Sequence, residues 1–262
     1  MRFASLGSGS KGNSTLVESQ DTCVMVDCGF GIKDACRRLL SLGKTPEDLS
    51  AILVTHEHSD HWKGVVPLAR KFSIPIFLTS GCLRSRDVGS ARADFNVIDS
   101  HTPFTIGGLR VTPVPVPHDA IEPVQYVFDA NGLKLGILTD IGHTTPFVES
   151  QYSFCHGLLL EANYDQDMLN NGPYPSFLKQ RVGGKFGHLS NDQLGGFLGN
   201  IDQTNLQVIL IGHVSEKNNH IEKVKVAIDD FVSARGSLAF ASQEAGSVWI
   251  ELRDQATRQP VM

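Results

Sequence analysis

The stretch His56-Glu57-His58-Ser59-Asp60-His61 places four potential metal ligands within six residues. It directly follows residues 51–55, a continuous apolar run that is typical of a strand buried on both faces. On a tight loop its first two histidines can point the same way, while its aspartate and last histidine face a neighbouring position. Imidazole and carboxylate ligands suit zinc, manganese or iron, and the absence of cysteine argues against a purely structural zinc site. A metal-free exposed loop is the alternative, which the regular spacing disfavours.

Three further potential ligands lie elsewhere in the chain. They are His118, Asp140 and His213, and each comes shortly after a predicted strand. Any one of them alone would be interpreted as an ordinary polar loop residue. Separate loops that converge on one rim would, however, bring them to the first stretch, and the combined set is what two metal ions require.

The rest of the chain alternates between predicted strands and helices. Strands are predicted at 16–18, 23–28, 51–55, 74–79, in short pieces over 97–117, and at 124–128, 133–139, 157–160, 206–211 and 247–252, and helices at about 32–42, 63–71, 191–198 and 222–234. Gly43 is expected to end the first helix, and Asn131-Gly132 to form a hairpin turn. No repeat or linker is recognisable, so the pattern predicts one α/β domain over 1–262, an αββα sandwich.

Composition and charge limit the possible classes of protein. The 262 residues are 41% hydrophobic and 19% charged, which is ordinary for a globular chain. A net charge of −5 provides no general attraction for nucleic acid, although bound divalent cations can themselves receive a phosphate. The five scattered cysteines indicate a reducing compartment, and no signal peptide or membrane span is recognisable, so we expect a cytoplasmic protein without membrane association.

The order HxHxDH, His, Asp and His resembles that of the metallo-β-lactamase superfamily along nearly the whole chain. The resemblance implies one metal ion bound by His56, His58 and His118, a second bound by Asp60, His61 and His213, and Asp140 as the bridge between them. It also implies a hydroxide held between the two ions that attacks the scissile bond, with Asp60 as a catalytic residue besides its ligand role. An antibiotic substrate is not expected, because ordinary metallo-β-lactamases lack the full HxHxDH arrangement.

Several other segments resemble the YycJ-type proteins of the same superfamily. They are residues 6–14, 160–165, 187–190 and 213–215, and the pair Asn218-Asn219. This resemblance implies the phosphodiesterase branch that contains tRNase Z and the β-CASP nucleases, and a 5′-to-3′ DNA exonuclease with nucleic acid as its substrate. The interval between Asp140 and His213 is too short for the long extra domain of a β-CASP nuclease.

Four residues outside the metal set are candidates for other roles. In the phosphodiesterase branch a histidine outside the metal shell protonates the leaving oxygen or stabilises the transition state, and His188 matches it, unless it is a solvated loop residue or merely precedes a helix cap. Glu161 is the candidate to orient His188, or a structural acceptor at the end of a strand. Asn13 and Lys11 lie in a glycine-rich loop and are the candidates for binding substrate phosphate. Asn13 is a candidate to contact the substrate or support the site, or its side chain merely fixes the turn.

A compact region over 164–187 is polar and rich in glycine. Its cations are Lys179, Arg181 and Lys185, and the aromatic residues Tyr174 and Phe177 lie nearby. As one wall of a substrate groove, these side chains can contact a nucleic-acid backbone and stack a base. A solvated loop explains them equally well.

Two other classes of function compete with the nuclease. A metal-dependent small-molecule hydrolase, acting on a cyclic phosphodiester, thioester or lactone, is favoured by the negative charge and by the missing extra domain. A non-catalytic binding protein is difficult to reconcile with an unbroken set of seven ligands.

Overall fold

Two seven-stranded β-sheets form in the computed structural model, which describes residues 1–86, 88, 93–232 and 236–254. The first seven strands along the chain are β1 (Arg2–Gly7), β2 (Ser14–Ser19), β3 (Thr22–Val26), β4 (Ala51–Leu53), β5 (Ile76–Thr79), β6 (Phe95–Ile98) and β7 (Phe104–Ile106). The next seven strands are β8 (Leu109–Pro115), β9 (Val124–Ala130), β10 (Leu133–Leu138), β11 (Gly157–Glu161), β12 (Val208–Gly212), β13 (Ser237–Phe240) and β14 (Ile250–Glu251). The first sheet has the order β14-β1-β2-β3-β4-β5-β6, and the second β13-β12-β11-β10-β9-β8-β7.

Helices cover the outer face of each sheet. In chain order they are α1 (Ile32–Ser41), α2 (Ser59–Trp62), α3 (Val65–Phe72), α4 (Ser80–Ser85), α5 (Pro146–Tyr152), α6 (Gln166–Asn171), α7 (Ser176–Val182), α8 (Asn191–Asn200) and α9 (Ile221–Ile228), and a short 3-10 turn spans Pro46–Asp48. None of the helices in the described ranges is long and apolar enough to cross a membrane. The five cysteines are free thiols.

The hydrophobic core has three layers, which follow from the two faces of each sheet. Between the sheets, Phe3 and Val24 of the first sheet pack with Tyr126 and Phe128 of the second. Outside the first sheet, Leu39 of α1 and Leu68 of α3 pack on Ile52, and outside the second sheet α5, α8 and α9 contribute Tyr152, Phe197 and Ile228. The predicted αββα sandwich is therefore confirmed.

Most predicted elements are present, and the differences have local causes. Strand β1 was not predicted, because its alternation of apolar residues with serine and glycine is weak; it pairs with β2 and with β14 at the edge of the sheet. The polar region 164–187 contains α6 and α7, rather than loop alone. Helix α9 ends at Ile228, earlier than the predicted 234, and 233–234 lie outside the described residues.

Parallel pairing brings several strand ends to the same edge. In the first sheet β3, β4 and β5 run parallel, and in the second β10, β11 and β12 do. The carboxyl ends of parallel strands meet on one side, where the following loops form a crevice. Two predicted turns are also present. Gly43 ends α1 with φ +70°, and Asn131-Gly132 forms the hairpin turn between β9 and β10.

Candidate metal centre and active site

The candidate site lies where the loops after strands of both sheets meet. His56 and His58 follow β4, Asp60 and His61 lie in the single turn of α2, and His118, Asp140 and His213 follow β8, β10 and β12. The ring centroid of His56 is 4.6 Å from that of His58, 4.2 Å from that of His61 and 4.9 Å from that of His118. The sandwich thus brings together side chains that are far apart in sequence.

A first cluster consists of three histidines whose ring nitrogens face one another. One nitrogen each of His56, His58 and His118 lies within 4.8 Å of the others. His118 Nε2 is 3.3 Å from His58 Nδ1. The remaining nitrogens contact oxygen atoms, namely His56 Nδ1 with Thr55 Oγ1 at 2.9 Å, His58 Nε2 with the Asp119 carbonyl at 3.2 Å and His118 Nδ1 with the Gly187 carbonyl at 3.0 Å. Such contacts fix the tautomer of a histidine ligand, and leave the other nitrogen for a metal.

A second cluster is centred on Asp140, which is buried. Its Oδ2 atom lies 3.3 Å from His61 Nε2, and its Oδ1 atom lies 3.3 Å from His213 Nδ1. His61 Nε2 is in turn 3.7 Å from Asp60 Oδ2. Asp140 therefore lies between His61 and His213, two of the residues predicted to be ligands.

Asp27 belongs to the site, although the sequence analysis did not identify it. Its carboxylate accepts hydrogen bonds from the Thr55 amide at 2.8 Å and from the Thr55 hydroxyl at 2.7 Å. It also lies 2.8 Å from His61 Nδ1, and so orients that ring. The available signal was position, because Asp27 directly follows a buried strand, as His213 does.

Left-handed backbone conformations occur at three residues of the site. Asp27, Asp140 and His213 have φ values of 59°, 54° and 52°. Residues other than glycine adopt this region at a cost, and such strain tends to occur at functional positions. Here each of these residues lies within two positions of the end of a strand of the site.

Glu161 and His188 form the contact that the sequence analysis expected. Glu161 is the last residue of β11, is fully buried, and has Oε2 3.1 Å from His188 Nδ1. Its Oε1 accepts hydrogen bonds from the amides of Ile141 and Leu189, both at 3.0 Å. Glu161 Oε2 also lies 3.3 Å from His213 Nδ1. This carboxylate is thus a rigid part of the site, held by backbone donors on both sides.

The buried carboxylates and imidazoles shift one another's pKa. Burial alone would raise the pKa of Asp140, but the imidazoles of His213 and His61 lower it well below its usual range. Burial opposes the charge on His213, yet Asp140 and Glu161 raise its pKa to about 10. Burial likewise opposes ionisation of Glu161, whereas His188 lowers its pKa to about 2. Positive charge is therefore favoured beside Asp140 and Glu161.

The donor set fits divalent metal ions. Three buried atoms of the described site, His56 Nε2, Asp140 Oδ2 and His213 Nδ1, have no hydrogen-bond partner. Leaving a buried polar atom unpaired costs about 1–3 kcal/mol, which a coordinated cation would offset. Nitrogen and carboxylate oxygen are donors that zinc, manganese and iron accept. The clustered histidines and carboxylates could therefore hold a divalent metal ion.

Comparison with known proteins agrees with this geometry. Residues 22–209 match the Beta-lactamase superfamily domain. The chain belongs to this superfamily. It is 30% identical to the exodeoxyribonuclease YycJ of Bacillus anthracis, with 90% of each chain covered, and 32% identical to the exodeoxyribonuclease WalJ of Streptococcus pneumoniae, with 83% covered. The crystal structure of the metallo-β-lactamase fold protein YhfI from Bacillus subtilis superposes with a TM-score of 0.75 at 15% identity, covering 95% of this chain and 99% of that one.

Both resemblances inferred from the sequence, to the superfamily and to its YycJ-type members, are thereby confirmed. The chain is accordingly a metal-dependent hydrolase. At the level of the family it falls among the metal-dependent nucleases and phosphodiesterases.

The candidate metal site opens into a cavity of about 480 Å³. His188 and Lys11 line it, and Lys11 Nζ lies 2.9 Å from Glu216 Oε1. Asn13 is buried instead: its amide nitrogen lies 3.2 Å from Asp60 Oδ2 and 3.0 Å from His61 Nε2. Asn13 Oδ1 also accepts a hydrogen bond from the Gly9 amide at 2.7 Å, so the side chain both fixes the turn and supports the loop of Asp60 and His61.

Proposed function

We propose that this superfamily member is a two-metal phosphodiesterase that degrades DNA from its 5′ end. The observation that carries the proposal is His188, which contacts the buried Glu161 and lines the same cavity as His58, Asp60, Asp140 and His213. A positioned histidine can act as a general acid, and a divalent metal site beside it can activate water, in the cleavage of a phosphodiester bond. DNA as the substrate is supported by the two exodeoxyribonuclease relatives.

Seven residues would hold two divalent ions, which we take to be zinc, manganese or iron. His56, His58 and His118 would bind one ion, Asp60, His61 and His213 the other, and Asp140 both. When bound, such ions stabilise the charge that develops on phosphoryl oxygens and lower the pKa of water, so that a hydroxide forms near neutral pH.

His188 would donate the proton that the leaving oxygen requires. Its Nδ1 atom is held by Glu161, so the ring presents Nε2 for a hydrogen bond to the substrate. The carboxylate of Glu161 fixes the orientation of the ring, and its own backbone donors keep it in place. Positioned acids of this kind contribute about 10²–10⁴-fold to a rate.

We also infer that residues 1–262 act as one domain in the cytoplasm. The ligands come from loops of both sheets, so neither half would form the site alone. Free cysteines are usual in a reducing compartment.

The test is hydrolysis by the purified protein in Mn²⁺ or Zn²⁺, with Asp60→Ala as the blank. The substrates are 5′-phosphorylated single- and double-stranded DNA, RNA, and an aryl phosphodiester. We expect processive loss of nucleotides from the DNA 5′ end, which the blank lacks. Cleavage of the aryl ester alone would instead support the small-molecule hydrolase.

A further inference from the structure

Three cations on the described walls of the cavity differ in what holds them. They are Lys11, Arg181 and Lys217. The ammonium of Lys11 contacts both carboxylate oxygens of Glu216, at 2.9 and 3.1 Å. The ammonium of Lys217 lies 5.9 Å from the ring centroid of Tyr174. Arg181 donates from Nε to Asp119 Oδ2 at 2.6 Å.

Arg181 is the cation best prepared to bind an anion. Because its bond to Asp119 uses Nε, the two terminal nitrogens retain their donors, and neither has a partner among the described residues. Its side chain is 59% exposed. A guanidinium group can bind a phosphate through two parallel hydrogen bonds, which a lysine ammonium cannot do. Asp119 therefore orients the guanidinium through Nε and leaves the two terminal nitrogens available to bind a phosphate.

The position of Arg181 relative to the ligand clusters indicates which phosphate it can reach. Asp119 Oδ1 lies 3.4 Å from His118 Nε2, the nitrogen that faces the first cluster. Arg181 contacts the other oxygen of the same carboxylate, so one carboxylate group separates it from the metal site. The guanidinium therefore lies on the cavity wall, outside the first ligand cluster. In a polynucleotide bound at the metals, a phosphate other than the reacting one would be the group that meets it.

The other cations of the region 164–187 do not share this position. Lys179, on the same helix as Arg181, donates from Nζ to the Asn170 carbonyl at 2.7 Å. Neither Lys179 nor Lys185 is among the residues that line the cavity. Of the three cations that the sequence analysis considered for backbone contact, the structure thus turns one toward the site.

We propose that Arg181 binds the backbone phosphate adjacent to the scissile one, and so makes the centre selective for polynucleotides over isolated phosphodiesters. This inference rests on the proposed phosphodiesterase function. Asp119 is the positioning residue, since it holds Arg181 and accepts the hydrogen bond of His58 through its carbonyl.

The experiment compares the full-length wild type with Arg181→Met, Arg181→Lys and the control Lys179→Met. For each, kcat/KM is measured on 5′-phosphorylated DNA and on bis(p-nitrophenyl) phosphate in Mn²⁺, over a series of salt concentrations. Metal content and melting temperature are recorded for every variant. Lys179→Met removes the same charge from the same helix without altering the cavity wall.

For Arg181→Met we expect the ratio of the DNA value to the aryl ester value to fall by about tenfold or more. The slope of log kcat/KM against log salt on DNA should become shallower by about one, because one phosphate contact is lost. Arg181→Lys should keep the wild-type salt slope but only part of the wild-type ratio of DNA to aryl ester cleavage. Lysine keeps the charge and lacks the two parallel donors of the guanidinium. Lys179→Met should match the wild type in both.

Two outcomes would overturn the inference while leaving the proposed function intact. One is DNA cleavage by Arg181→Met at the wild-type ratio and slope. The other is an equal loss on both substrates, which would place Arg181 at the reacting phosphate or in the fold. A wild type that cleaves the aryl ester but no DNA would refute the proposed DNA exonuclease, and the inference with it.

Discussion

At the scale of single residues, orientation of the ligands depends on partners that bind no metal themselves. Asp27 is the clearest example, because it holds His61 Nδ1 and both donors of Thr55. The ring nitrogen that faces the candidate metal is thereby selected by a carboxylate in the loop after β3. Partners of this kind typically change metal affinity by about 10–100-fold.

We therefore predict that Asp27→Ala weakens the binding of Mn²⁺ by about 10–100-fold. The loss follows because His61 would no longer be held in one orientation. Affinity can be measured by isothermal titration or by competition with a chelating dye. Asp27→Asn retains one acceptor oxygen and should fall between the two. An Asp27→Ala protein that binds metal as tightly as the wild type would refute the orienting role.

For His188, the prediction separates chemistry from metal binding. His188→Ala should lower kcat on DNA by about 10²–10⁴-fold and leave the bound metal unchanged, because the residue is assigned to proton transfer. The measurements are single-turnover rates and metal analysis of the same sample. His143→Ala is the control, since His143 contacts the Lys185 carbonyl and does not line the cavity. Loss of metal in His188→Ala would make His188 a ligand instead.

At the scale of elements, helix α8 holds the segment that presents His188. Its N-cap, Ser190, accepts a hydrogen bond from the Gln193 amide at 3.2 Å, and the Gln193 side chain accepts one from the Ser190 amide at 2.8 Å. This capping box begins two residues after His188, so the helix start and the catalytic loop are anchored together. Leu189, between His188 and Ser190, also holds this segment in place, because its amide donates to Glu161.

Ser190→Ala should lower the stability of the protein by about 1 kcal/mol, the usual contribution of a serine cap. For a chain of this size we expect the melting temperature to fall by about 2–4 °C. Calorimetry or circular dichroism would measure it. Ser176→Ala is the matched control, because Ser176 is exposed in the first turn of α7 without a capping role. Equal melting temperatures for both variants would show that the box contributes nothing.

At the scale of the whole molecule, the two sheets are joined close to the site. The hydroxyl of Tyr126 on β9 donates to the carbonyl of Val54 at 2.8 Å, just before the loop of His56. Tyr126 is fully buried, so no water can replace this bond. The contact links the core between the sheets to the loop that carries the first ligands.

We expect Tyr126→Phe to lower the free energy of unfolding by about 1–3 kcal/mol, because the buried Val54 carbonyl loses its donor from the second sheet. Urea unfolding followed by tryptophan fluorescence would measure the change. Tyr174→Phe, whose hydroxyl makes no hydrogen bond in the described structure, should stay within about 0.5 kcal/mol. A Tyr126→Phe protein as stable as that control would contradict the prediction.

Metal binding should also stabilise the whole fold, because the candidate ligands come from both sheets. At a free metal concentration of about 100 times Kd, the native state gains about 2.7 kcal/mol. Chelation by EDTA should therefore lower the melting temperature, and Mn²⁺ or Zn²⁺ should restore it. Asp140→Ala is the comparison, since removing the bridging carboxylate should abolish most of this difference. A melting temperature that is independent of metal in the wild type would contradict the two-sheet centre.

Local patterns in the sequence determined the order of most strands and helices, the sandwich, and the candidate ligands around His56, Asp140 and His213. They did so because a buried strand and a ligand-rich loop are each recognisable within a few residues. Strand β1 was not recognised, since its stability comes from pairing with β2 and β14 rather than from its own residues.

Only the tertiary structure decided which partners complete the site. Asp27 meets His61 across 34 residues of chain, and Asp119 meets Arg181 across 62. No local pattern encodes such contacts, because they depend on how two sheets and an intervening helix pack. The sequence therefore identified the chemistry of the centre, whereas the fold selected the nitrogen of each histidine that faces it and the one cation of helix α7 directed at the cavity.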